Sequence, residues 1–228
     1  MTQSHVFEVH RRRVECVSSA SYNAGYTGRS QKDVEAHITE LAHQGVQTPQ
    51  QIPTLFSVPS YMNLQIDTVE VEHQKTSGEV EWALIYQGTT APTILTVASD
   101  HTDRALEAHD VTSSKQISPN ILGTRAWDLN QVSDEIDDIV MRSWGFGSGK
   151  WTLLQEGRMG DLISPLEWLE RLEELNRLKP GVILLGGTLP MLDPEAQFAD
   201  RWEVSLTRPN GETITKTYDL HYMHTSII

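Results

Sequence analysis

The 228-residue chain is the size of one large domain or two small ones, and its 38% hydrophobic and 21% charged content excludes a disordered chain. Lys and Arg number 18 against 31 Asp and Glu, so the formal charge is -13, and a surface this acidic repels a phosphate backbone and argues against a nucleic-acid partner. The single cysteine, Cys16, excludes an internal disulfide and an all-cysteine zinc site. No apolar run approaches the ~20 residues of a membrane span, so no membrane partner is expected. The start lacks the apolar core of a secretory signal and the ending Thr225-Ser226-Ile227-Ile228 is no targeting signal, so the expected compartment is cytoplasmic.

In chain order, Val6 to Val17 alternates as a strand does, and Asn23 to Gly28 reads as a glycine loop. Ser30 is the N-cap of a helix with Asp33 and Glu35 in its first turn, an apolar stripe of Val34, Ile38 and Leu41, and Gly45 as its stop. Pro49, Pro53 and Pro59 mark an extended connector. Leu64 to Val71 alternates, and Glu79 to Gln87 and Thr93 to Ala98 predict a hairpin about the turn at 88–92. Asp134 to Trp144 reads as a strand. Ser164, Pro165 and Glu167 open a helix whose buried face is expected from Leu166, Leu169, Leu172 and Leu175. Val182 to Leu185 is a buried strand, Gly186-Gly187-Thr188 a tight turn, and 201–206 with 212–218 a last hairpin. The sum predicts an α+β, mostly β fold. Residues 1–60 hold a strand, a helix and the proline-rich connector, and 61–228 form the main β domain.

Chemistry concentrates in three places. Glu79 and Glu81 are two apart on a predicted strand, so both carboxylates share one face, and Asp100 ends the next strand. Three converging carboxylates repel one another unless a cation sits between them, and a hard ion with oxygen ligands (Mg²⁺, Mn²⁺ or Ca²⁺) is the natural occupant. A solvated strand face explains the two glutamates on spacing alone. His37 and Glu40, three apart on a helix, form a candidate imidazole–carboxylate pair for general-base work, or an ordinary exposed pair. Lys115 stands in a segment poor in charge and can neutralise a carboxylate or enolate, although most lysines are surface residues. Other motifs fail. Gly145 to Lys150 evokes a phosphate loop but has Trp144 for its first glycine and Trp151 after the lysine. His101, Asp103 and His221 make a poor iron triad, because no anchoring arginine follows the last ligand.

Taken in order, these segments resemble the fumarylacetoacetate hydrolase superfamily. They are closer still to a bacterial family of unknown function near it, through Thr76-Ser-Gly-Glu-Val-Glu81, Ser99-Asp-His-Thr-Asp-Arg104, Ser114-Lys-Gln116 and Gly187-Thr-Leu-Pro190. The superfamily's lid histidine and glutamate are matched by His37 and Glu40, with Val34 at the tyrosine position, and its Pro-x-x-Phe by Pro53 to Phe56. Its Glu-x-Glu is matched by Glu79 and Glu81, and its Asp-x-Ser/Thr-x-Arg by Asp100, Thr102 and Arg104. Lys115 and Gly186-Gly187-Thr188 match the downstream blocks, with Gln116 for a glycine and Leu189 before Pro190.

The resemblance implies a mixed β-sandwich roll with a short N-terminal helical lid. It implies a homodimer and one divalent ion, Mg²⁺ or else Mn²⁺ or Ca²⁺, on Glu79, Glu81 and Asp100. The substrate class is a small 2-oxo or 1,3-dicarbonyl acid handled through a stabilised enolate, with C–C bond hydrolysis favoured. His37, Glu40 and Lys115 take the catalytic roles, Arg104, Thr188 and Gly187 the substrate contacts, and Gly25 and Gly28 are hinge candidates for the lid. Hydratase, decarboxylase or tautomerase chemistry, or non-catalytic binding of a small acid, remain alternatives on the same scaffold.

Overall fold

The computed structural model describes residues 3–30, 32, 34, 35, 38, 39 and 51–223. In chain order the strands are β1 (Ser4–Val9), β2 (Arg12–Val17), β3 (Ala20–Gly25), β4 (Thr54–Val58), β5 (Asn63–Leu64), β6 (Thr68–Val71), β7 (Thr76–Ser77) and β8 (Val80–Tyr86). They continue with β9 (Ile94–Asp100), β10 (Thr102–Asp103), β11 (Asn120–Asp128), β12 (Val140–Gly147), β13 (Lys150–Arg158), β14 (Val182–Thr188), β15 (Arg201–Thr207) and β16 (Thr213–Tyr222). A nine-stranded sheet runs β2-β1-β11-β9-β8-β14-β3-β4, with β5 added beside β11, and a five-stranded sheet runs β13-β12-β15-β16-β6. β7 and β10 pair on their own. The mostly β fold expected from the sequence is the one observed.

The central strands β8 and β9 are buried on both faces, which is why they read as continuous apolar runs. One face, with Val80, Trp82, Leu84, Leu95 and Val97, packs on Met141, Val204 and Leu206 of the five-stranded sheet and on Trp168 and Leu172. The other face, with Ala83, Ile85, Ile94 and Ala98, packs on Phe7, Val9, Leu122, Ile183 and Leu185 of its own sheet. The large sheet therefore curls, and this second cluster fills its inner face. Among the described residues no helix is long and apolar enough to cross a membrane.

Several local expectations change. The single strand over 6–17 is a hairpin, because His10 and Arg11 both take left-handed backbone (φ 50° and 62°) and turn the chain. The stretch 134–144 opens with a 3₁₀ segment, Ser133–Asp138, before β12. Gly186-Gly187-Thr188 is no turn but the end of β14, where the ladder to β8 is bulged between Leu185 and Thr188. The helix Pro165–Glu174 starts as read, with the Ser164 side chain accepting from the Glu167 N–H. Its buried face is Trp168 and Leu172, while Leu166 and Leu175 are exposed. Residues every third position drift by about 60° per step on a helix of 3.6 residues per turn, so four leucines so spaced leave the core face. The glycine-rich 145–150 segment is the β12–β13 hairpin, turning at Ser148 and Gly149. Where the sequence predicts the first helix, Lys32, Val34, Glu35, Ile38 and Thr39 are helical, whereas His37 and Glu40 lie outside the described residues.

Candidate metal centre

Glu79 stands just before β8 and Glu81 within it, so both point to one face. β8 pairs with β9 through Val80–Ser99 and Glu81–Ala98, and the Asp100 N–H donates to the Glu79 carbonyl at 3.1 Å. The register brings Asp100 opposite Glu79. One carboxylate oxygen from each of Glu79, Glu81 and Asp100 lies within 4.8 Å of the others, and all three residues are buried. The cluster stands on the inner face of the curl, two residues beyond Ala83 and Ala98.

Backbone and cations hold the trio in place. The Gly187 N–H donates to Glu81 Oε2 at 2.7 Å. Gly187 has φ 97°, and a Cβ there would stand 1.9 Å from Thr27 Oγ1, so only glycine lets the bulge come this close. Arg104 opens a short helix capped by Asp103, whose side chain accepts from the Leu106 N–H. Its Nη2 donates to Glu79 at 2.7 Å, its Nη1 to Glu107 at 2.6 Å and its Nε to Ser77 Oγ at 2.5 Å. Lys115 is carried by the helix Val111–Ile117, capped by Asp110. Its Nζ is bonded to Asp100 Oδ2 and lies 3.5 Å from Glu79 Oε2 and from Thr102 Oγ1.

A second ring of contacts comes from the five-stranded sheet. Thr188 pairs with Glu81, and its hydroxyl donates to the Val80 carbonyl at 2.8 Å. Buried Gln155 donates to that hydroxyl at 2.9 Å and accepts from the Val80 N–H at 2.9 Å and from Ser143 Oγ at 2.8 Å. The Tyr218 hydroxyl lies 2.9 Å from Ser99 Oγ, which accepts from the Glu79 N–H, and 3.0 Å from His101 Nδ1. Among the described residues the carboxylate cluster does not include His101, whose ring nitrogen meets Tyr218 instead.

The electrostatics separate the two glutamates. Burial opposes charge on Glu79, but Arg104 and then Lys115 outweigh it and hold the carboxyl at about 2. Burial first and Asp100 second push Glu81 well above the usual carboxylate range. Burial works against the Lys115 charge, yet Asp100, Glu79 and Glu81 raise it further. Burial, then Arg104, lower His101 to about 3 and keep it neutral. A divalent ion suits these residues: the donors are all oxygen, they converge, and Glu81 carries a repulsion that a cation would relieve.

Seven of the nine expected site residues meet here: Glu79, Glu81, Asp100, Arg104, Lys115, Gly187 and Thr188. Arg104, expected as a substrate contact, has its guanidinium on Glu79, Glu107 and Ser77. Sequence reasoning missed Gln155 and Tyr218, which carry no motif and reach the site only through packing of the two sheets.

Residues 24–218 match the family described as "Protein of unknown function (DUF2848)". The chain belongs to the DUF2848 family. No curated protein matches this DUF2848 chain. Solved structures do. A 5-carboxymethyl-2-hydroxymuconate delta-isomerase from Mycobacterium smegmatis is 18% identical, with TM-score 0.61 over 91% of this chain and 80% of that one. A maleylpyruvate hydrolase from Sphingobium sp. SYK-6, in complex with manganese(II) and pyruvate, is 14% identical, with TM-score 0.60 over 93% and 78%. A 2-keto-3-deoxy-D-arabinonate dehydratase, complexed with magnesium and 2,5-dioxopentanoate, is 17% identical, with TM-score 0.60 over 90% and 74%. At these identities the likeness is one of fold. The family match bears out the expected resemblance to a family of unknown function, and the likeness to these structures agrees with the fold expected from the resemblance to the fumarylacetoacetate hydrolase superfamily.

Proposed function

We propose that this protein is a divalent-metal-dependent enzyme acting on a small 2-oxo or 1,3-dicarbonyl acid, with C–C bond hydrolysis as its reaction. The observation that carries the reading is the buried convergence of Glu79, Glu81 and Asp100. Relatives of the same fold with magnesium and 2,5-dioxopentanoate, or manganese and pyruvate, support it. In this reading the three carboxylates hold Mg²⁺, with Mn²⁺ or Ca²⁺ as substitutes. The ion supplies Lewis-acid stabilisation of an enolate oxygen when bound.

The chain's own residues do the rest. Glu79, Glu81, Asp100 and Glu107 set against Lys115 and Arg104 leave two negative charges in excess, which a divalent ion cancels, so that an anionic acid meets no net repulsion. Lys115, beside Asp100, adds positive charge where the enolate develops. Arg104 orients Glu79 and lends its charge to the substrate's binding. Gly187 and Thr188, beside Glu81, line the substrate's place. His37, oriented by Glu40, activates water for hydrolysis. The resemblance also supports a homodimer.

Titration calorimetry with Mn²⁺ tests the centre: one ion per chain is expected for the wild type and none for Glu81→Ala. Full occupancy of that variant would refute the site. Deuterium exchange at C3 of pyruvate with Mg²⁺ present tests enolate formation, and a protein that binds without exchanging is a binding protein. His37→Ala is expected to keep the ion and lose turnover, and full activity would remove His37 from the mechanism.

A further inference from the structure

Five strands follow one another around the inner face in the order β11, β9, β8, β14 and β3. Asn120 of β11 is the direct cross-strand partner of Asp100, so both side chains point inward with Cβ atoms about 5 Å apart. Asn23 of β3 pairs with Leu185, a member of the inner apolar cluster. The two asparagines come from strands four places apart, yet they meet. Each Nδ2 donates to the other's Oδ1 at 2.9 Å. Both are at most 1% exposed, as buried as Asp100 itself. Ala83, Ala98, Leu122 and Leu185 lie next along the same face. The amide pair is therefore a floor between the carboxylates and the apolar filling of the curl.

Hydrogen-bond capacity distinguishes the two amides. A side-chain amide has two N–H groups. Asn120 uses both, on Asn23 Oδ1 and on Asn63 Oδ1 at 3.0 Å. Asn23 uses one, and among the described residues nothing accepts the other. A buried N–H without an acceptor costs about 1–3 kcal/mol, so its retention beside the carboxylates calls for an oxygen that takes it.

We propose that the second N–H of Asn23 is a substrate contact, held in position by Asn120, and that it takes an oxygen carried beyond the keto group. The centre then selects a hydroxylated 2-oxo acid over one with an apolar tail, which would leave that N–H unpaired. The inference rests on the proposed function and narrows its substrate class.

3-Hydroxypyruvate and 2-oxobutyrate test it, because they share a chelating head and differ by a hydroxyl for a methyl. Calorimetry on the Mn²⁺-loaded wild type is expected to show 3-hydroxypyruvate binding about tenfold tighter, the worth of one hydrogen bond. Asn23→Ala is expected to bind Mn²⁺ within about threefold of wild type and to lose that preference. Should the alanine variant not fold, Asn23→Ser, whose hydroxyl is too short to reach the same point, is expected to behave likewise. Equal affinities in the wild type, or an unchanged preference in either variant, would overturn the proposal while leaving the metal-dependent function standing. A wild type that binds no Mn²⁺ would overturn both.

Discussion

Glu81 and Glu79 are two residues apart and opposite in acidity, and the difference comes from their neighbours. Glu79 has the Arg104 guanidinium on one oxygen, while Glu81 has a single backbone N–H and faces Asp100. A carboxyl raised above its ordinary 4.5 keeps its proton in the folded protein at pH values where the unfolded chain has released it. Its contribution to stability is full below that value and is lost as the pH rises through the raised one. A cation must displace that proton, so Mn²⁺ affinity is expected to climb with pH above 4.5. Calorimetry at pH 5.5 and 7.5 reads this directly, and equal affinities at the two would contradict the protonated Glu81. Glu79, held at about 2, adds nothing to the slope in this range.

At the scale of elements, the helix Pro165–Glu174 separates what pattern and packing each decide. Its start follows from local chemistry: Ser164 accepts from the Glu167 N–H and Pro165 needs no donor partner. Its buried side follows from where the sheets lie. Leu172 is fully buried and Leu175 is 57% exposed. Leu172→Ala is expected to cost about 2–5 kcal/mol in urea unfolding, and Leu175→Ala about 0.5 kcal/mol or less. Equal losses would mean that the regular leucine spacing marks the core face after all. The β14 bulge makes the same point, since Gly186 and Gly187 read as a turn until β8 and Thr27 are set beside them.

At the scale of the whole molecule, the site is built on one sheet and braced from the other. Tyr218 of β16 and Gln155 of β13 cross the gap to Ser99, His101, Val80 and Thr188, the immediate neighbours of the carboxylates. Tyr218→Phe keeps the ring's packing and strips partners from Ser99 and His101. It is expected to lower unfolding stability by about 1–3 kcal/mol and to weaken Mn²⁺ binding. Unchanged stability and unchanged metal affinity together would show that the hydroxyl braces nothing. The strand pair carrying Glu79, Glu81 and Asp100 was legible from the chain because its apolar runs, its turn and its carboxylate spacing are all local, and so were the helix caps and the last hairpin. Strands β11 and β13, the amide pair Asn23–Asn120 and the Gln155 and Tyr218 braces were not, because residues 12 to 119 positions apart are joined only when the sheet curls and the second sheet closes on it. Local spacing determined which residue types were available for chemistry; which of them meet, and how strongly each holds its proton, was decided by burial and by charges brought from elsewhere in the fold.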